Sequence, residues 1–176
     1  MIETGLTRKI DGLGRLVIPK EIRERFNIKE NDYLEFLISN EGFFIKRYSK
    51  LSNFKVLAQE LVDTLNNYLN AEVFIADSDS IIAYSGINKK RYLNKKVSNS
   101  IIKAIKRRES LFEKYNKDIC LIEGNIINCS YIDETLVANS EEIGIICLYR
   151  LDNSVNEIDR KIVNIVASFL TKYLEE

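Results

Sequence analysis

The residues best placed to do chemistry are basic side chains concentrated near the N-terminus. Residues 1–29 carry seven Lys or Arg and four Asp or Glu, on a chain whose formal net charge is zero. Six of these cations lie on the polar surfaces of a short strand–turn–strand–helix pattern, and they are Arg8, Lys9, Arg15, Lys20, Arg23 and Arg25. A locally basic segment on a neutral protein indicates a confined binding face for a polyanion.

Other chemistry is restricted by composition. The chain has no histidine, and its three cysteines, Cys120, Cys129 and Cys147, are widely spaced. Imidazole bases and histidine zinc sites are therefore excluded, and three scattered thiols cannot alone form a four-thiolate site. We expect reduced, buried thiols. The sequence predicts no catalytic residues and no metal site, so an enzyme housed in the second half is a weakly supported alternative.

Apolar periodicity around the cations predicts a ββαββ unit in the first 48 residues. Residues 6–11 alternate like a strand, residues 12–14 supply a tight turn, and residues 16–18 are β-prone. Residues 33–39 and 43–48 flank a turn and predict a hairpin. The helix between these strands follows Pro19 and has an apolar side made of Ile18, Ile22 and Phe26. So small a unit does not stabilise a core alone, and we expect oligomerisation.

The charges of this helix can neutralise one another. Lys20 and Arg23 share its polar face. Glu24 lies four residues after Lys20 and can pair with it, which would leave that cation less available to a phosphate. A similar pair between Glu21 and Arg25 would account for Arg25 without any ligand.

The remaining cations have alternative interpretations. Strict alternation places Arg8 with Leu6 and Ile10 on one strand face and Lys9 on the other, which favours Lys9 as the exposed cation. Arg8 can still reach solvent from a twisted edge strand, so both stay candidates. Arg15 follows the glycine turn, where a guanidinium suits phosphate or guanine contact. The alternative for Arg15 is a solvated turn residue.

The second part of the chain has the apolar pattern of a folded domain. Apolar residues recur at helical spacing over residues 54–69, and again over 155–173 after a capping box that runs from Ser154 to Glu157. The pattern also predicts a helix over residues 98–109 and strands near residues 72–76, 80–85, 119–122, 128–132, 135–138 and 143–149. This order fits a central antiparallel sheet flanked by helices, and the predicted fold class is α+β.

Two other charged groups have structural interpretations. Asp77 and Asp79 occupy a predicted hairpin turn, where acidic residues are typical of turn chemistry rather than of a metal site. Basic residues recur between positions 89 and 108 and suggest a second nucleic-acid patch. We interpret them as solvated faces, because exposed aromatic residues are not interleaved with them.

Residues 1–50 closely resemble the AbrB-type swapped-hairpin DNA-binding domain. The resemblance rests on Thr4-Gly5, Arg8-Lys9-Ile10-Asp11, Leu13-Gly14-Arg15-Leu16-Val17-Ile18-Pro19, Glu21-Ile22-Arg23, Asp32-Tyr33-Leu34-Glu35 and Lys46-Arg47-Tyr48. In that family two chains exchange hairpins to close a small β-barrel, and basic side chains on one face meet DNA. The resemblance implies double-stranded DNA as partner and favours Arg8 where periodicity favours Lys9. One departure is Arg23-Glu24-Arg25, where family members often carry consecutive basic residues.

Residues 51–176 are similar to GAF-type sensor domains in length and in element order. Residues 1–50 and 51–176 together resemble a family of transcription regulators of sporulation genes. The N-terminus lacks the long apolar core of a signal peptide, so we expect a cytoplasmic protein. The resemblance implies a DNA-binding domain at 1–50, a connecting amphipathic helix at 51–70, and a GAF-like sensor and oligomerisation domain at 71–176. It also implies a swapped dimer and a tetramer built from two barrel dimers. No apolar run approaches the ~20 residues needed to span a bilayer, so we expect no membrane partner.

A ligand for the GAF-like domain is not identified by the sequence. The Asn-Lys-Phe-Asp-Glu signature of cyclic-nucleotide GAF domains is absent, since Asn88-Lys89-Lys90 is only a fragment of it. No cofactor is predicted, and a small molecule of unknown identity stays an expectation. An antitoxin-like protein-binding module with the same barrel is the alternative function. It is disfavoured because such antitoxins end in short extended tails, whereas residues 54–176 are patterned like a folded domain.

Overall fold

The computed structural model describes residues 5–26, 28–30 and 32–175. The chain divides into two compact units, of which the first ends at Tyr48 and the second begins at Ser49. Thr4, which belongs to the first of the motifs above, lies outside the described residues.

The first unit contains one short helix and one hairpin. The helix α1 spans Lys20–Arg25, and the antiparallel strands β1 and β2 span Leu34–Ser39 and Gly42–Arg47. The hairpin closes where Ser39 pairs with Gly42. Gly42 has a φ of +146°, which side chains with a Cβ rarely adopt, so the turn requires glycine at this position. The predicted hairpin is therefore confirmed.

The strands predicted at residues 6–11 and 16–18 are wrong for the described chain. These residues form no strand. They flank a turn in which the Asp11 amide donates to the Arg15 carbonyl at 3.2 Å and the Gly14 amide donates to the Asp11 carbonyl at 3.0 Å. A strand needs a hydrogen-bonding neighbour, and no described strand of this chain pairs with either segment.

The second unit is built on a sheet of five strands. They are β3 (Glu72–Ala76), β4 (Ile81–Ser85), β5 (Ser110–Ile122), β6 (Asn125–Ala138) and β7 (Glu141–Arg150). Their order is β4-β3-β7-β6-β5, and every neighbouring pair is antiparallel. The predicted antiparallel sheet is confirmed.

Helices cover both faces of this sheet. They are α2 (Lys50–Asn53), α3 (Lys55–Leu69), α4 (Lys89–Tyr92), α5 (Asn99–Lys106) and α6 (Glu157–Glu175). Ile146 and Leu148 of β7 join the apolar cluster under α3 and α6, whereas Ile145 and Cys147 join the cluster under α4 and α5. This alternation is the strand period of two that a sheet buried on both faces requires.

Three predicted boundaries in this unit are wrong. β5 begins at Ser110 rather than near residue 119, because it is an edge strand and its polar residues 113–117 conceal the apolar alternation. β6 runs unbroken through residues 133 and 134, where two separate strands were predicted. The cap of α6 is Asn156 instead of Ser154, because Asn156 Oδ1 accepts the amides of Ile158 at 2.8 Å and Asp159 at 3.1 Å.

Candidate nucleic-acid interface and ligand cavity

A carboxylate in the turn of the first unit holds Arg15, one of the predicted DNA contacts. Asp11 Oδ1 accepts the backbone amides of Leu13 and Arg15, each at 2.9 Å, and Asp11 Oδ2 accepts from Arg15 Nε at 2.7 Å. These bonds, led by the Arg15 amide, lower the pKa of the Asp11 carboxyl. The Arg15 side chain is still 74% exposed, so its terminal nitrogens stay accessible to an anion.

The cations of α1 differ in how strongly the chain engages them. Lys20 Nζ lies 3.6 Å from Glu24 Oε1, which confirms the predicted pair. The predicted Glu21–Arg25 pair is wrong, because the Arg25 guanidinium lies over the Phe26 ring at 5.9 Å from its centroid. Arg23 is exposed and its side chain has no hydrogen bond or ion pair to the described residues. Arg23 is therefore the least engaged cation of this helix.

The strand-parity argument for Arg8 and Lys9 does not separate them in the structure. Both side chains are exposed, and Arg8 Nη1 donates to the Thr7 carbonyl at 2.8 Å. Leu6 is 41% exposed and Ile10 is 57% exposed, so the supposedly inward face is also open to solvent. The assignment of one of these two cations to DNA stays a prediction.

The first unit has no interior of its own. None of the described residues between 5 and 48 is buried. Many of the exposed positions are large and apolar, namely Leu6, Ile10, Leu13, Leu16, Val17, Phe26, Tyr33, Phe36, Leu37, Ile38, Phe43, Phe44 and Tyr48. This much apolar surface on so small a unit marks an interaction face.

A cavity of about 260 Å³ lies in the second unit, between α5 and the strands β5, β6 and β7. Ile101 and Ala104 of α5 line one side, and Leu121 of β5 lines another. Asp133 of β6 also lines the cavity, and it is a charged residue among mainly apolar neighbours on this face of the sheet. A concave, mainly apolar site with a few polar groups is typical of ligand binding.

Asp133 is a buried carboxyl with little compensation. It is 6% exposed, and its Oδ1 accepts the Leu111 amide at 3.0 Å. Burial raises the pKa of Asp133 to about 7, and the negative charges of Glu109, Glu134 and Glu113 add to the shift, although the Leu111 amide opposes it. Perturbed carboxyls of this kind concentrate at functional sites.

Sequence reasoning missed Asp133 because residues 128–132 and 135–138 were predicted as separate strands. That division placed Asp133 in a connection. Alternation along one continuous strand would have placed Asp133 on the same face as Cys129 and Tyr131, which are both buried. It would therefore have predicted a buried carboxyl.

A partly buried carboxylate, Glu72, is fully engaged by the fold. Its Oε2 accepts from Tyr84 Oη at 2.5 Å, and its Oε1 accepts the Ile87 amide at 2.8 Å. Burial raises the pKa of Tyr84 and of Tyr149, whose hydroxyls lie 2.5 Å apart. Glu72 therefore anchors the chain after β4 and is not a vacant site.

The thiols agree with the expectation of reduced cysteines, with one difference in burial. Cys129 and Cys147 are buried, Cys120 is partly exposed, and all three are free. Burial raises the pKa of Cys129 to about 12, which makes it an unreactive thiol near neutral pH. Among the described residues, no three His, Cys, Asp or Glu side chains cluster as a metal site. No helix of that same part combines the length and the hydropathy needed to cross a bilayer.

The outer surface of α6 carries an apolar stripe. Ile158 is 68%, Ile165 is 67%, Phe169 is 50% and Tyr173 is 44% exposed. At 3.6 residues per turn these four side chains fall on one side of the helix. The opposite side of α6 packs on the sheet, so the stripe is available to a further helix.

The first unit is basic and has no buried residue among those described, and the second unit is an antiparallel sheet covered by helices. Together they define a transcription factor with an AbrB-like DNA-binding region and a GAF-like domain. The family model described as "Stage V sporulation protein T C-terminal, transcription factor" matches residues 51–175. The stage V sporulation protein T of Bacillus subtilis (strain 168) is 38% identical over 179 residues, which cover 100% of both chains. The chain therefore belongs to the stage V sporulation protein T family.

Two further proteins are similar to parts of the chain. The transition state regulatory protein AbrB of Bacillus subtilis (strain 168) is 38% identical over 65 residues, covering 37% of this chain and 68% of AbrB. The cofactor binding GAF domain of the nutrient sensor CodY from Clostridium difficile superposes with a TM-score of 0.51 at 16% identity. That match covers 66% of this chain and 83% of the CodY domain, and at this identity it shows the fold alone.

The antitoxin-like alternative is not favoured. The model described as "Antidote-toxin recognition MazE, bacterial antitoxin" matches residues 7–51. Residues 49–175 do not form an extended tail, because they fold into the sheet and helices described above. The similarity to stage V sporulation protein T covers the whole of this chain.

Proposed function

We propose that the chain regulates sporulation genes in the cytoplasm by binding double-stranded DNA through its N-terminal unit, completed by a second copy. In this proposal the GAF-like unit joins two such dimers into a tetramer and responds to a small molecule. The domain limits are those expected from the sequence, with DNA binding in residues 1–50, a connecting helical segment in 51–70 and the GAF-like domain in 71–176.

The observation that carries the proposal is the absence of any buried residue in the described part of the first unit. Burying apolar surface stabilises a fold by about 25 cal/mol per Å². A hairpin contributed by a second copy would cover these apolar side chains and would also give residues 6–11 and 16–18 a strand neighbour. A dimer of swapped hairpins therefore accounts both for the exposed apolar side chains and for the missing strand neighbour.

The DNA contacts that we propose are Arg8, Lys9, Arg15, Lys20, Arg23 and Arg25. Arg15 and Arg23 rank first, because the former is exposed on a rigid turn and the latter has no competing partner among the described side chains. Lys20 ranks lower because of Glu24, and Arg25 ranks lower because it lies on Phe26. Phosphate contacts of this kind supply affinity but carry little sequence information.

The tetramer is proposed to form through α6 and its neighbour α3. The apolar stripe of α6 lies on one side of the helix, as helix-to-helix packing requires. Val56 and Tyr68 of α3, a helix that packs on the same face of the sheet, are 75% and 85% exposed. The cavity beneath α5, on the other face of the sheet, is the proposed small-molecule site.

A binding titration tests the DNA-binding part of the proposal. Full-length protein is titrated with a duplex enriched from random-sequence DNA, at 50 and 200 mM salt. Two chains supply about ten cations from Arg8, Lys9, Arg15, Lys20 and Arg23. If most of them engage phosphates, affinity falls by ~10³–10⁵ over that range. A flat salt response would contradict the proposed DNA face, and a monomer in analytical ultracentrifugation would contradict the swapped dimer.

A further inference from the structure

We propose that the cavity beneath α5 binds a small aliphatic ammonium compound, whose cationic nitrogen pairs with the carboxylate of Asp133. This inference rests on the proposed sensing role of the same cavity and states which chemistry the cavity recognises.

The charge of the cavity wall points to a cation. Three carboxyl residues line it, Glu109, Asp118 and Asp133, and no Lys or Arg is among its described lining residues. An anionic ligand such as a nucleotide or a carboxylic acid would meet repulsion there with no compensating cation. The walls thus select against anionic ligands.

Two of the three carboxyls already have partners. Glu109 Oε1 lies 3.6 Å from Arg107 Nη1, and Asp118 Oδ1 accepts from Asn128 Nδ2 at 2.6 Å. Asp133 has a hydrogen bond from the Leu111 amide to Oδ1, and its Oδ2 has no partner among the described residues. A carboxyl that is more than nine-tenths buried, lines a cavity and has one unused oxygen is the group a ligand would satisfy.

The size and the walls of the cavity define the rest of the ligand. A volume of about 260 Å³ corresponds to roughly nine water molecules at ~30 Å³ each. Ile101, Ala104 and Leu121 present aliphatic walls, and Tyr131 adds an aromatic side chain to the lining. The ligand is therefore a small ammonium compound with an aliphatic skeleton.

Binding is linked to a proton on Asp133. The pKa of Asp133 is raised to about 7, chiefly by burial, so the unliganded group is largely protonated below that pH. A bound ammonium requires the carboxylate, and the affinity therefore falls about tenfold for each pH unit well below 7. The other titratable groups that line the cavity are Glu109, Asp118, Cys120, Tyr131 and Cys147. Glu113, Glu134 and Cys129 lie nearby, and those residues of α5 that line the cavity are not titratable.

The test compares probes of one skeleton and different charge. Full-length protein is titrated calorimetrically with isopentylammonium, with the neutral 3-methylbutan-1-ol and with 4-methylpentanoate, at pH 8 and pH 6. We expect isopentylammonium to bind at least tenfold more tightly than the alcohol at pH 8, and about tenfold more weakly at pH 6 than at pH 8. The carboxylate probe is expected not to bind.

The variant Asp133→Asn keeps an acceptor for the Leu111 amide and removes the charge. It should lose the preference for the ammonium over the alcohol and lose the pH dependence. The control Asp79→Asn, which removes an exposed carboxylate outside the cavity lining, should behave like the wild type. If Asp133→Asn does not fold, the affinities of the wild type for isopentylammonium at pH 6 and pH 8 still test recognition by the Asp133 carboxylate.

The outcomes separate this inference from the sensing role. Equal, pH-independent binding of the alcohol and the ammonium would overturn recognition by Asp133 and leave a ligand cavity in place. Preferential binding of the carboxylate probe would overturn the charge argument in the same way. Binding of none of the three probes would overturn the ammonium inference and would also remove the support for the cavity as the sensing site.

Discussion

Arg15 Nε lies 2.7 Å from Asp11 Oδ2, so the side chain that we propose as a DNA contact is already oriented by a carboxylate of its own turn. The same carboxylate accepts the backbone amide of Arg15. The guanidinium is therefore pre-positioned, and less rotamer freedom is given up when its terminal nitrogens meet a phosphate.

Replacing Arg15 by Gln is expected to weaken DNA binding. The slope of log affinity against log salt should become shallower by about 1 for each phosphate that is no longer neutralised. The measurement is a fluorescence-anisotropy titration at several salt concentrations. Lys114→Gln, which removes one exposed cation from β5, is the matched control and should leave the slope unchanged. An Arg15→Gln slope equal to that of the control would rule out neutralisation of a phosphate by Arg15.

Replacing Glu24 by Gln is expected to strengthen DNA binding. The change releases Lys20 from its 3.6 Å pair and removes a negative charge from the basic helix. The exposed helical pair is worth ~0.3–0.5 kcal/mol, so affinity should rise roughly twofold per chain, with a steeper salt dependence. Glu60→Gln on α3 serves as the control with the same charge change. Weaker binding by Glu24→Gln would show that Lys20 is not limited by this pair.

Replacing Phe169 by Asp is expected to split the tetramer into dimers. Phe169 is 50% exposed in the apolar stripe of α6, and a carboxylate there would be buried without a partner on association. Sedimentation velocity should report half the wild-type mass. Ser168→Asp introduces the same charge roughly 100° around the helix and should keep the tetramer. If both variants retain the wild-type mass, this face is not the interface.

Replacing Asp133 by Asn is expected to change how stability depends on pH. The folded pKa of Asp133, about 7, lies above the value of about 3.9 for an unfolded aspartate. The folded state therefore binds the proton more tightly, and this contribution is complete below about pH 4 and disappears as pH rises to about 7. The variant has no such pH-dependent term, so relative to the wild type it gains about 2–3 kcal/mol between pH 5 and pH 8.

Urea unfolding of the wild type and of Asp133→Asn at the two pH values measures this difference. A stability difference that is the same at pH 5 and pH 8 would show that Asp133 is not a buried acid of raised pKa. The comparison does not depend on any ligand.

The sequence predicted those elements whose apolar period or turn residues are clear over a short stretch of the chain. The hairpin of β1 and β2 was found because its turn ends at Gly42, which provides the positive φ that the turn needs. The apolar periods of α3 and α6 likewise mark their buried faces. The segment around Arg8 and Lys9 was not found correctly, because a strand there depends on a neighbour that the described chain does not contain.

The candidate sites show a similar division. The basic segment around Arg15 could be predicted, because a cluster of charged residues is visible in the sequence without knowledge of tertiary packing. The Arg25 prediction failed because a neighbouring aromatic ring, Phe26, competed with Glu21 for the guanidinium. Asp133 was missed because its role depends on α5 closing a cavity over β6, a packing relationship between segments about 30 residues apart that local periodicity does not encode.

The close approach of Glu72 to the chain at Gly86 has an evolutionary consequence. Gly86 has a φ of +138°, and a Cβ at this position would lie 2.4 Å from the Glu72 carboxyl carbon. A larger residue at position 86 therefore requires a shorter one at position 72 and a change of backbone conformation. We expect the two positions to covary among relatives, and lineages without the carboxylate should be free to replace the glycine.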